Sequence, residues 1–257
     1  MLPSIFISHG SPYLCLTQYP SATFLKELPK LFDKPKYIII VSAHWTTNEL
    51  RILSNPNPNI IYDFYGFPQE LYDKKYPIKN DLKKVEEIVK KFTNENISII
   101  KDDKEEAYDH GVWAPLSLMY PNADIPVIQI SLPINFSANE LIKIGEVLQE
   151  FRNEVLIIGS GTLTHNLRDS KRDINAPIDS YAKEFRDWIV TKAQNAEVES
   201  LENFLQNAPE LNKNHPSLEH LLPFFIVLGS SKNKKAKILN NVFMYGNQAM
   251  DSILLAN

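Results

Sequence analysis

The sequence predicts an α/β fold, a single domain with a mainly parallel or mixed central sheet flanked by helices. Three observations carry that expectation. The run Ile38-Ile39-Ile40-Val41 holds four β-branched residues with no polar alternation, the pattern of a strand buried on both faces within a parallel sheet. Strand-like and helix-like stretches alternate through most of the 257 residues, as in α/β folds. Apolar runs also end on histidine: at His9 after Ile5-Phe6-Ile7-Ser8, at His44 after the central run, and more loosely at His165 after Val155 to Gly161. Such sheets gather ligands beyond the carboxyl ends of their strands. The histidines therefore mark a candidate metal site at those ends.

Taken in order, residues 4–8 form the first strand, and Gly10 and Pro12 turn the chain after His9. A helix is expected over 21–32, kinked at Pro29. The central strand then runs to His44 and stops, and 48–54 makes a further strand before the turn residues Asn55-Pro56-Asn57-Pro58-Asn59. Tyr62-Asp63-Phe64-Tyr65-Gly66-Phe67-Pro68 packs four aromatic residues into seven positions, as an aromatic plug on the core or a loop over a planar ligand. Leu82, Val85, Ile88, Val89 and Phe92 fall at helical spacing and predict an amphipathic helix over 78–92.

A strand at 97–100 follows. Asp109-His110-Gly111 then opens a helical stretch over 112–120, with Pro115 assigned to its first turn. After a strand at 126–132, Ser137 with Glu140 three residues on is a capping box for a helix to residue 151. Residues 155–158 form the next buried strand, and 178–195 and 197–206 read as helices. A further helix is expected from His215-Pro216 through Gly229 despite Pro223, and 237–245 and 250–255 close the fold as strands. No internal repeat or Gly-rich linker divides the chain, so one domain is expected over 1–257.

A formal net charge of −4 gives no general nucleic-acid footprint, which would show as a basic domain. The run Lys232 to Lys237 reads as a solvated turn. Cys15 is the single cysteine, which rules out an intrachain disulfide and thiolate metal clusters. The first residues lack the pattern of a signal peptide, and no apolar run approaches the roughly 20 residues of a membrane span. A cytoplasmic protein with no membrane or nucleic-acid partner is expected.

The six histidines are at 9, 44, 110, 165, 215 and 220, and none falls in a clearly amphipathic helix. That placement points to at least three sharing one metal ion, and imidazole ligands suit Zn, Fe, Cu and Ni. His9 and His44 would come from neighbouring strand ends, and Glu219 or His220 would complete the set. Adjacent helical residues point about 100° apart, so one of this pair would bind the ion and the other orient the site from behind.

The motifs around Ser8-His9-Gly10-Ser11-Pro12, Ser42-Ala43-His44-Trp45, the aromatic stretch 62–68, Asp109-His110-Gly111-Val112-Trp113-Ala114-Pro115-Leu116, Gly159-Ser160-Gly161 with His165-Asn166-Leu167, and residues 215–223 occur in one order over nearly the whole chain. Together they resemble the class III extradiol ring-cleaving dioxygenases of the LigB-type superfamily, in the DOPA 4,5-dioxygenase-like branch. The resemblance implies a non-haem Fe(II) enzyme that opens a small catechol with dioxygen, and some members carry Zn(II) in the same site. By motif position His9, His44 and His220 would hold the metal, His165 would act as acid and base, and His110 would contact substrate or oxygen. Tyr65, Phe67, Trp45 and His215 are expected to line the substrate pocket.

Protocatechuate-type relatives use a carboxylate as third ligand, and this chain offers Glu219 beside His220. Three protein ligands on an octahedral ion would leave three positions for catechol and dioxygen. Two other readings keep the same histidines: a zinc-dependent hydrolase, and a non-enzymatic binding protein resembling the Memo proteins, since fold does not guarantee function.

Overall fold

Buried strands and amphipathic helices assemble, in a computed structural model describing residues 1–104 and 107–256, around one eight-stranded sheet. The strands are β1 (Ser4–Ser8), β2 (Tyr37–Thr47), β3 (Arg51–Leu53), β4 (Asn59–Ile60), β5 (Ile100–Asp102), β6 (Ala107–Tyr108), β7 (Val127–Pro133), β8 (Val155–Gly161), β9 (Ala236–Asn240), β10 (Phe243–Met244), β11 (Gln248–Ala249) and β12 (Ser252–Leu255). The main sheet runs β5-β3-β7-β2-β8-β1-β12-β9, while β4 pairs with β6 and β10 with β11. Its middle four strands, β7, β2, β8 and β1, are parallel. Antiparallel pairings of β3 with β7, β12 with β1 and β9 with β12 make the whole sheet mixed.

Every residue of β1, β7 and β8 is buried. In β2, Ile39 and Val41 enter the core on one face, and Ile38 and Ile40 the core on the other. Each such side chain contributes about 1.5–3 kcal/mol by leaving water, which is why the run 38–41 carries no polar alternation.

The helices are α1 (Pro20–Glu27), α2 (Gln69–Tyr72), α3 (Leu82–Asn94), α4 (His110–Met119), α5 (Ala138–Leu148), α6 (Ser180–Gln194), α7 (Val198–Glu202), α8 (Phe204–Asn207), α9 (Leu211–Asn214) and α10 (Pro223–Gly229). Apolar residues of α1 and α4 build one face's core, and those of α3, α5, α6 and α10 the other. The Ser137–Glu140 capping box is present at the start of α5. A 3₁₀ turn, Leu28–Leu31, follows α1 at the position of Pro29. No helix among the described residues is long and apolar enough to cross a membrane.

Four local expectations are corrected. The strand β2 continues past His44 to Thr47, and its pairing with β7 shifts register between Val41 and Thr46. Such an irregularity re-aims side chains without ending a strand. The strand β8 runs on through Gly161 rather than ending at Ile158. Helix α4 begins at His110, so Pro115 lies inside it. Residues 215–222 are turns rather than helix, and Pro223 opens α10 instead of interrupting it, the first position being where its fixed φ is accommodated.

Candidate active site

The end of β8 draws two histidines together. The His9 backbone N–H donates to the Gly161 carbonyl at 3.0 Å, and the Thr162 N–H donates to the His220 carbonyl at 2.9 Å. A Cβ at position 161 would stand 2.0 Å from the His220 oxygen, so only glycine permits this approach. His44 comes from the irregular part of β2. Its backbone N–H donates to Ser42 Oγ at 3.2 Å, and the Ser42 hydroxyl donates to Asp109 Oδ1 at 2.6 Å, tying β2 to the start of α4.

The three rings form a nearly even triangle, with centroids 5.0 Å apart for His9–His44, 5.3 Å for His9–His220 and 5.0 Å for His44–His220. The Nε2 atoms of His9 and His44 are 3.1 Å apart. Behind the rings, the Nδ1 atoms meet polar groups: Ser160 Oγ at 3.0 Å from His9, Asp63 Oδ2 at 3.6 Å from His44, and Glu219 Oε1 at 3.1 Å from His220. The 3.6 Å pair is too long for a hydrogen bond and acts through charge alone.

Two more histidines flank the triangle. His110, the first residue of α4, has its ring centroid 4.0 Å from that of His44. Asp63 accepts the His110 backbone N–H at 3.0 Å, and both its oxygens lie 2.9 Å from His110 Nδ1. The β4–β6 pairing and a hydrogen bond from Trp113 Nε1 to the Ile61 carbonyl bring these segments together. His165 is anchored through its backbone N–H to the Asn214 carbonyl and stacks on His220 at 3.5 Å, with 10° between the planes. Ligand atoms of His9, His44 and His110 lie within 4.8 Å of one another, as do those of His165, Glu219 and His220. The expected triad thus spans two adjoining clusters.

Crowding sets the protonation. Burial, followed by the neighbouring imidazoles, holds His9 and His220 well below the ordinary histidine range. Burial and then His110 lower His44 to about 3. Burial also lowers His165, although Glu219 opposes it. Burial alone would raise the Asp63 carboxyl, but hydrogen bonds and charge from His110 outweigh it and keep the group below its usual value. His9, His44, His165 and His220 are therefore neutral at neutral pH, each with a free ring lone pair.

The histidines wall a cavity of about 580 Å³, which Asp63, Phe64, Tyr65, Phe67, Lys171, Tyr245 and Gln248 also line. Phe64 meets His110 edge-on at 5.7 Å, and Phe67 stacks with Tyr13 at 6.4 Å. Tyr65 stands at the mouth, 92% exposed.

Two expected pocket residues lie elsewhere. Trp45 is buried in the core, because successive strand residues face opposite ways and His44 takes the cavity side. His215 is buried, with Nε2 2.7 Å from the Leu163 carbonyl and its ring 5.3 Å from Phe185. It braces the chain leading to His165 and does not line the cavity. Glu219 stands behind His220 and also accepts from the Ser217 hydroxyl.

Sequence reasoning assigned no individual role to Asp63 or Ser160, and placed Phe64 only within the aromatic stretch. A lone carboxylate within an aromatic run was the available signal for Asp63. Nothing local distinguishes Ser160 from any strand serine.

The donor set fits a metal ion. Two nitrogens bound to one ion at about 2.0–2.2 Å stand roughly 3 Å apart when their bonds are perpendicular, close to the His9–His44 spacing of 3.1 Å. Carboxylates accept hydrogen only, so Glu219, 3.1 Å from His220 Nδ1, favours a hydrogen there and leaves the lone pair at Nε2.

Fold and site define a class of α/β proteins with a histidine centre at the carboxyl ends of the middle strands and an aromatic-walled cavity above it. The pattern of the catalytic LigB subunit of aromatic ring-opening dioxygenase matches residues 4–250, and the chain belongs to that family. It is 36% identical to the 4,5-DOPA dioxygenase extradiol of Beta vulgaris over 245 residues, which cover 93% of this chain and 90% of that one. It is 32% identical to the 4,5-DOPA dioxygenase extradiol of Escherichia coli K12 over 233 residues, covering 89% and 85%. The crystal structure of an uncharacterized Escherichia coli K12 protein shares the fold over 100% of both chains, with a TM-score of 0.80 at 24% identity.

Proposed function

We propose that this protein is an extradiol dioxygenase that opens the ring of a small DOPA-like catechol with dioxygen, using Fe(II) held by His9, His44 and His220. The observation that carries the reading is the convergence of these three imidazoles, each with a polar group behind Nδ1, beside an aromatic-walled cavity of about 580 Å³. The names of the relatives in Beta vulgaris and Escherichia coli support the same chemistry. Zn(II) suits the same donors but has no redox chemistry, so the ring-opening reading calls for a redox-active ion, which we assign as Fe(II). When bound, Fe(II) would supply a redox-active centre with open positions for catechol and dioxygen.

The chain's own groups have separate tasks. Phe64 and Phe67 present aromatic surface to a planar ring and keep water from it. His165, neutral because burial lowers its basicity, takes a proton from a catechol hydroxyl and later returns it. His110 lines the cavity with Nδ1 engaged by Asp63, which leaves Nε2 to contact substrate or dioxygen.

Anaerobic reconstitution with Fe(II), followed by air and a panel of catechols including L-DOPA, tests the proposal. The expected result is a yellow ring-opened product with matching oxygen uptake. An iron-loaded protein that converts no catechol would overturn it, and Zn(II)-dependent hydrolysis of esters or amides beside that failure would favour the hydrolase reading.

A further inference from the structure

We propose that Ser160 is a positioning residue that fixes the tautomer of His9, and that Pro115, inside α4, frees the acceptor that makes this possible. The inference rests on the proposed metal site for its purpose, but its geometry stands apart from any ion.

Ser160 is fully buried in β8. Its Oγ donates to the Gly111 carbonyl at 2.5 Å and lies 3.0 Å from His9 Nδ1. A hydroxyl has one hydrogen and a carbonyl has none. The Ser160 hydrogen therefore goes to Gly111, and only an oxygen lone pair remains for His9. His9 must then carry its hydrogen on Nδ1, which leaves the Nε2 lone pair facing His44 Nε2 at 3.1 Å. With the opposite tautomer, an N–H would point at the place a metal ion needs.

The availability of the Gly111 carbonyl is the unusual part. In a regular helix it would accept from the backbone N–H four residues on. That residue is Pro115, which has no N–H and whose ring crowds the carbonyl at i−4. A helix-breaking residue thus redirects one carbonyl from the helix to a strand serine. Space is equally constrained: a Cβ on Gly111 would meet Ser42 Oγ at 2.4 Å and His44 Cδ2 at 3.1 Å. The chain Pro115, Gly111, Ser160, His9 links α4, β8 and β1 and ends at one ring nitrogen.

The test reads the tautomer directly. In metal-free protein with isotope-labelled histidine, long-range nitrogen–proton correlation spectra should show wild-type His9 hydrogenated at Nδ1. Ser160→Ala should lose that preference and weaken Zn(II) binding by about 10–100-fold, measured by chelator competition well below the variant's thermal midpoint. Pro115→Ala restores an N–H that competes for the Gly111 carbonyl and frees the Ser160 hydrogen for His9. It should shift His9 toward the Nε2 hydrogen and weaken Zn(II) binding while leaving Ser160 in place, and it decides the matter if Ser160→Ala fails to fold. A wild-type His9 hydrogenated at Nε2, or folded variants that keep the wild-type tautomer and Zn(II) affinity, would overturn the proposal. A wild-type protein that binds no Zn(II) yet shows the Nδ1 hydrogen would count against the metal site while upholding the role of Ser160.

Discussion

Asp63→Asn should separate orientation of His110 from metal binding. The Asp63 carboxylate accepts the His110 backbone N–H at 3.0 Å and has both oxygens 2.9 Å from His110 Nδ1. Asparagine keeps the shape, removes the charge and replaces one oxygen with a donor. The remaining oxygen can still accept the backbone hydrogen, but an NH₂ group then faces the ring N–H. Hydrogen bonds to charged groups contribute about 1.5–3 kcal/mol. Asp63 is 21% exposed, so solvent screening favours the lower end, about 1.5–2 kcal/mol. At 1.36 kcal/mol per tenfold, kcat/KM should fall roughly 10–30-fold. Metal content should persist, because Asp63 lies 3.6 Å from the His44 ring, outside hydrogen-bond reach. The depressed Asp63 pKa also means that its contribution to stability is present above the unfolded value and lost as pH falls through the folded one. The variant should lack that acid-side loss. Oxygen-uptake kinetics with L-DOPA, beside metal analysis, give the answer. An iron-replete Asp63→Asn enzyme with wild-type kcat/KM would refute the orienting role.

Replacing His220 with Ala should remove iron and activity together, whereas His165→Ala should keep the metal and lose roughly 10²–10⁴-fold in rate, less for catechols already ionised at assay pH. An iron-free His165→Ala beside an iron-replete His220→Ala would reverse those roles. Gly161→Ala places a Cβ 2.0 Å from the His220 oxygen, where ordinary contact begins at 3.4 Å. The His220 segment must retreat by more than ~1 Å, a displacement that costs on the order of 100-fold. Metal analysis and turnover of the folded variant test this, and normal values for both would contradict the tight approach. His215 is lowered from 6.5 to about 4 by burial. As pH falls, the unfolded chain takes up this proton first, so its stabilising effect is complete above 6.5 and is lost on the way down to 4. The loss is on the order of 3 kcal/mol. Urea unfolding of metal-free protein across that range should show a correspondingly shallower pH slope for His215→Gln.

The main strands were legible because burial on both faces leaves a local trace, an unbroken β-branched run in β2, the apolar run 155–158 in β8 and the mostly apolar β7. Caps are local too, and Ser137–Glu140 could be read from spacing alone. Histidines at apolar strand ends nominated His9, His44 and His165, helix starts and Gly-flanked loops added His110 and His220 or Glu219, and the motif order favoured His220; all five histidines line one cavity. Tertiary structure decided the rest. Trp45 belonged to the core rather than the pocket once the register shift put His44 on the cavity side. His215 was drawn inward by the Leu163 carbonyl. Asp63 and His110 lie 47 residues apart in sequence, and Ser160 and Gly111 lie 49 apart. Periodicity reports which face of its own element a residue takes. Which faces then share a cavity depends on strand order and on close backbone approaches such as that at Gly161, and those are settled only when distant segments pack.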